Sequence, residues 1–144
     1  MEEYFSALEE AFQLYREELA EGKKKLKPMS GFLGFGHSLK DDACHEKLDE
    51  RVEKAVNGIA GLNPSPEEAE RAVRMLLRDD GKEWHETAQW MLRAVERHSI
   101  PLIPFLKKET ADRFYREYGS RYRRWERLPA QKKVYEELKK QAGR

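Results

Sequence analysis

The densest run of residues able to bind a metal or move a proton is His37, Asp41, Asp42, Cys44, His45, Glu46 and Asp49. At about 100° per helical residue, His45 falls between Val52 and Val56 on the dry face of a helix. Asp49 follows one turn later, so the two side chains have the i,i+4 spacing from which a metal ion can be shared. Far along the chain, His98 falls on a second apolar face near Trp84, Met91 and Val95. Two inward histidines with carboxylates make Asp42, His45, Asp49 and His98 the candidate metal or acid–base set, with hydrolysis as its chemistry. The plainer origin of such a pattern is a neutral buried imidazole bonded to a carbonyl or carboxylate. No H-E-x-x-H zinc motif is present: Asp49 stands where His45-Glu46 would need a second histidine, and Gln89 where His85-Glu86 would.

Cys44 is expected in the first turn of its helix, where the dipole lowers a thiol pKa. Asp41 and Asp42 oppose a thiolate there, and Cys44 shares the dry face with Leu48, so a buried inert cysteine is expected. His85, Gln89 and Glu96, with Leu92 among them, line the partly polar edge of the helix that carries His98. That edge is ordinary for an amphipathic helix and suggests no chemistry. The glycines of PMSGFLGFGHS, residues 28–38, are spaced G-x-x-G-x-G with no Gly-Lys-Ser/Thr after them, which matches neither a P-loop nor a dinucleotide fingerprint. The segment is expected to be a loop pinned to the core by Phe32, Leu33 and Phe35.

The candidate partner-binding surface lies in the C-terminal part of the chain. Arg113, Arg116, Arg121, Arg123, Arg124 and Arg127 are interleaved with Phe114, Tyr115, Tyr118, Tyr122 and Trp125. Arginine grips phosphate with a planar fork, and aromatic rings stack on unpaired bases. Arg116, Arg121, Tyr122, Arg123, Arg124 and Trp125 are therefore the residues a protein or nucleic-acid partner would meet. Net charge is only +1, but residues 107–144 hold 13 Lys and Arg against 6 Asp and Glu, while residues 1–106 hold 15 against 21. The basic portion suits an anionic partner, or the acidic portion of its own chain.

These residues need helices to position them. Phe5, Leu8, Phe12, Tyr15, Leu19 and Leu26 form one helical seam, predicting a helix over about 3–25 that Lys27-Pro28 ends. A second helix is expected from Asp41 or Asp42, with Cys44, Leu48, Val52, Ala55, Val56 and Ile59 on one face. Ser65-Pro66-Glu67-Glu68 reads as a capping box with proline in the first turn, opening a third helix over about 66–79. Its dry face is Ala69, Ala72, Val73, Leu76 and Leu77, and Asp79-Asp80-Gly81 stops it. The least polar stretch, Trp84 to Leu106, supplies a central helix over about 83–98. Pro101 and Pro104 then enforce a kink, or a break with Ser99 capping a short new helix to Leu106. A helix over about 109–118 ended or bent by Gly119, and a last one opened by Pro129, complete the chain.

With 144 residues, 38% of them charged, and no alternating strand pattern, the chain is expected to form one all-α domain. It is read as a compact irregular or orthogonal bundle of five to seven helices, with the basic, aromatic-rich portion at 107–144. No run of eighteen apolar residues occurs, so no membrane span is expected. The acidic N-terminus is unlike an export leader, and a single cysteine cannot form an internal disulfide. Both favour a cytoplasmic location. No cofactor motif is found. The leading expectation is a non-enzymatic interaction or regulatory domain with a protein partner. The alternatives are a metal-binding or hydrolytic protein using Asp42, His45, Asp49 and His98, and a nucleic-acid binder using residues 113–127.

Overall fold

The computed structural model describes residues 1–33, 36–78, 86–122 and 127–144, with side chains described outside 21–42, 79–87 and 123–126. Six α-helices and one 3-10 helix account for nearly all of them, and no strand occurs among the described residues. The helices are α1 (Glu2–Leu33), α2 (Gly36–Gly61), α3 (Pro66–Leu76), α4 (Glu86–Val95), the 3-10 helix (Glu96–Phe105), α5 (Lys108–Arg121) and α6 (Pro129–Gln141). The chain divides into two compact units, Glu2–Ala55 and Val56–Arg144.

The first unit is a helical hairpin. The seam Phe5, Leu8, Phe12, Tyr15 and Leu19 is buried as its spacing predicts, and so are Leu48, Val52 and Ala55 of α2. Each large side chain removed from water contributes about 2 kcal/mol to the folded chain before chain entropy is counted. Glu18 meets Arg51 at 2.5 Å and Lys47 at 3.6 Å, while Glu3 and Tyr4, near the start of α1, share a groove with Lys54 and Ala55, so α1 and α2 run antiparallel. Two boundaries differ from expectation. α1 continues through Pro28 to Leu33, and α2 starts at Gly36 rather than at Asp41 or Asp42. Proline's penalty in a helix is local, one lost N–H bond and a ring contact with the preceding turn, and the Glu- and Lys-rich run before it favours the helix. The predicted loop at 28–38 is thereby replaced by helix on both sides of residues 34–35. The expected burial of Phe32, Leu33 and Phe35, and of Leu26, lies outside the described side chains.

In the second unit the local signals are obeyed closely at α3. The Ser65 hydroxyl accepts from the Glu68 N–H at 3.1 Å, and the Glu68 carboxylate accepts from the Ser65 N–H at 2.9 Å. All five predicted apolar residues of this helix are buried. The helix stops at Leu76, earlier than the Asp79-Asp80-Gly81 signal, which lies outside the described residues. Upstream, Asn63 ends α2 in the left-handed conformation at φ 53°, a state asparagine tolerates better than most residues.

The stretch after α4 does not break. The backbone tightens at Glu96 into ten residues of 3-10 helix that contain both prolines. Ser99 does not cap a new helix; its hydroxyl donates to the Glu96 carbonyl at 2.7 Å. Proline's fixed φ suits this tighter winding, and at three residues per turn positions three apart form straight rows. Glu96, Ser99 and Leu102 make one row and are buried. Pro101 and Pro104 make another and are exposed, where their missing N–H groups cost least. The 3-10 helix packs on α3 and α6, and α5 packs on α6. Gln141 of α6 donates to the carbonyls of Pro104 and Leu106 at 3.2 and 2.8 Å, holding the end of the 3-10 helix.

Gly119 does not end α5, which runs on to Arg121. Its bare backbone lets the Tyr135 ring of α6 approach: a Cβ there would stand 3.1 Å from Tyr135 Cε2. Gly143, at φ 77°, takes the left-handed position just after α6.

Candidate functional site

The site the structure assembles is centred on Glu96, which is 3% exposed. Its Oε2 accepts a hydrogen bond from the Tyr118 hydroxyl at 2.6 Å and another from Gln131 Nε2 at 3.3 Å. Its Oε1 accepts from the Tyr122 hydroxyl at 3.3 Å. Tyr118 and Tyr122 lie one turn apart at the end of α5, their rings edge to face at 5.3 Å. Gln131, wholly buried, sits in the first turn of α6, and its Oε1 accepts from the Leu128 N–H at 3.0 Å. Leucine has no side-chain acceptor, so Gln131 caps α6 from within the helix while its amide group binds Glu96.

Burial pushes the Glu96 carboxyl up to about 7, against the opposing pull of the bonds from Tyr118, Gln131 and Tyr122 and of the nearby Arg121 charge. The same burial, with the Glu96 charge beside them, raises both the Tyr118 and the Tyr122 hydroxyls. The two tyrosines therefore remain neutral donors. Chemically the cluster can hold a proton near neutral pH, but both carboxylate oxygens are already engaged and no face of the group is open to a substrate.

A cleft of about 460 Å³ is lined by Tyr118 together with Leu77, Phe114, Arg74, Glu117 and Arg121. Arg121 is committed to its own helices: Nη1 donates to the carbonyls of Leu77 and Arg78 at 2.9 and 3.0 Å. Those carbonyls end α3, where a cation is favoured by the helix dipole. Arg74 lies over the Phe114 ring at 5.3 Å and bonds Glu70 at 3.0 Å.

The predicted partner-binding residues divide accordingly. Arg116 is exposed and pairs with Asp112 at 2.5 Å. Arg121 ties α5 to the end of α3, and Tyr122 is buried against Glu96. Arg123, Arg124 and Trp125 lie outside the described residues. Of the other interleaved residues, Phe114 and Tyr118 are buried, and Tyr115 stacks on Tyr135 at 4.7 Å with Arg127 over the second ring at 4.0 Å. Arg113 bonds Glu70 of α3. Among the described residues, the alternation of arginine and aromatic side chains thus largely serves packing between helices.

The predicted metal set is spread over both units. Asp42 lies outside the described side chains, while Asp49 and His45 are half-buried on α2. The His45 ring lies 5.7 Å from Tyr15, and its Nε2 is buried with no hydrogen-bond partner among the described residues. His98 is half-buried in the 3-10 helix, in the row that continues to Pro101 and Pro104. Its assignment to an apolar face rested on α-helical winding, which stops at Val95. Among the described residues, no three His, Cys, Asp or Glu side chains gather as a metal site would require. Cys44 is half-buried and lies two turns inside α2, not in its first turn.

The α-helical period puts Glu96 on a polar helix edge, which hides its burial. The two prolines three apart were the available signal. Read at three residues per turn, they turn Glu96 inward with Ser99 and Leu102. Among the described residues of the second unit, Trp90 of α4 is the large aromatic left exposed, at 54%, while Ala88, Leu92 and Val95 of the same helix are buried. No helix among the described residues is long and apolar enough to cross a membrane. No family model matches the chain, and no match to it is found among curated proteins or solved structures.

Proposed function

We propose that this protein is a non-enzymatic interaction domain that binds a protein partner through the outward face of α4, with Trp90 as the anchor. The observation that carries the reading is the exposure of Trp90, 54%, on a helix whose opposite face is packed. A tryptophan of that exposure leaves a large amphipathic surface in water, and tryptophan is the residue most enriched at the centres of protein interfaces. Arg93, three residues on, has its guanidinium 4.6 Å over the Tyr122 ring, so the helix is braced against the Glu96 cluster. In this reading the buried cluster holds the helices and the outer face meets the partner. The lone cysteine suits a reducing compartment, and we place the domain in the cytoplasm.

The experiment is site-specific photo-cross-linking in the cells that make the protein, with a benzophenone amino acid replacing Trp90. A discrete protein adduct at position 90, absent when the probe replaces exposed Lys133 on α6, is expected. Adducts equally sparse or equally diffuse at both positions would reject the reading.

A further inference from the structure

The helical hairpin of the first unit carries a second apolar seam beside its buried one. Tyr4, Ala7, Ala11 and Leu14 recur at steps of three, four and three along α1 and line a groove of about 390 Å³ against Ala55 of α2. Steps of three and four are the spacing of a seam that receives another helix. Ala7 is exposed, and Tyr4 and Leu14 are only half-covered, so the groove leaves part of this seam in water. Its walls are opposite in charge. Glu3 and Glu10 stand on the α1 side, Arg51 and Lys54 on the α2 side. Arg51 is held by Glu18, whereas Glu3, Glu10 and Lys54 have no ion-pair partner among the described residues.

We infer that this groove is the interface for a second copy of the same chain. A two-fold axis running along the groove sets the α1 wall of one copy over the α2 wall of the other at the same height, and repeats the contact on the far side. Acidic wall then meets basic wall twice, and the two half-covered seams close on each other as a four-helix arrangement. A groove with like charges on both walls would repel its own copy; this one is complementary to itself. The inference goes beyond the Trp90 reading and uses a different surface, so the two fail independently.

The test is sedimentation of the full chain at micromolar concentrations, using wild type, Glu10→Lys, Lys54→Glu and an equimolar mixture of the two variants. Each variant alone places like charges opposite each other twice, and its dimer affinity is expected to fall about tenfold or more. In the mixture, both contacts of a heterodimer pair opposite charges again, so dimer returns. Ala7→Glu, an exposed helical position where folding is checked by circular dichroism, is expected to leave monomer only. A wild-type chain that stays monomeric would overturn the inference. So would a wild-type dimer that all three substitutions leave unchanged. Persistence of the position-90 adduct in either of those cases would leave the Trp90 reading standing.

Discussion

The hydroxyl of Tyr118 lies 2.6 Å from Oε2 of Glu96, inside a layer formed by the 3-10 helix, α5 and α6. With Tyr122 and Gln131 it leaves the carboxyl no unbonded oxygen, although burial holds the group up to about 7. Desolvation disfavours the charged form of this group, its partners offset only part of that cost, and removing one side of such a cluster exposes the cost of the other.

Stability should therefore fall with rising pH through this one group. Its ordinary value is 4.5 and its folded value is about 7, so the folded chain binds the proton more tightly. The contribution is fully present below about pH 4.5 and is lost as pH rises through 7, amounting to about 3 kcal/mol in all. Glu96→Gln resembles the protonated form and does not titrate. In urea unfolding, the difference between wild type and Glu96→Gln should favour the variant at pH 8 and shrink toward zero at pH 5. A difference independent of pH would contradict the burial argument.

Glu96→Ala should behave differently from Glu96→Gln. It leaves the Tyr118 hydroxyl and the Gln131 amide buried without their acceptor, at a cost of about 2–4 kcal/mol. The measurement is the unfolding midpoint of the two variants at pH 7, with alanine far below glutamine.

Gly119 is held to glycine by Tyr135, whose ring cannot retreat easily because it is stacked on Tyr115 and covered by Arg127. Gly119→Ala should destabilise by about 1 kcal/mol despite alanine's better helix propensity. In a Tyr135→Ala background the obstruction is gone, and the same substitution should stabilise by up to about 1 kcal/mol. A double-mutant cycle reads this change of sign.

Arg121→Met keeps the apolar stem but removes the donor that satisfies the last carbonyls of α3, Leu77 and Arg78. The expected loss is about 1–2 kcal/mol. Amide hydrogen exchange should quicken at the C-terminal turn of α3 before it does elsewhere. Arg116→Met, at an exposed ion pair, should change stability by less than about 0.5 kcal/mol.

Much of this architecture was legible in the residues. The seams of α1 and α3, the Ser65 capping box and the Pro129 start of α6 are local signals, and each acts where its spacing places it. What could not be read was geometry that departs from the assumed period. Glu96 and His98 both follow Val95, where the winding changes from 3.6 to 3 residues per turn, so the faces derived for them no longer apply. Gly119 carried the opposite lesson, because its reason lies on a distant helix and not in its own neighbourhood. The arginine–aromatic alternation of 113–127 looked like a surface, yet Phe114, Tyr118 and Tyr122 turn inward because α5 must cover the 3-10 helix and α6.

If the outside of α4 binds while the Glu96 cluster holds the fold, the two roles separate in the affinity of the partner captured at position 90, measured at pH 7 for Trp90→Ala and Glu96→Gln. Trp90→Ala should bind at least about tenfold more weakly, and Glu96→Gln should bind unchanged. Unchanged binding by Trp90→Ala with loss in a folded Glu96→Gln would contradict that division of roles.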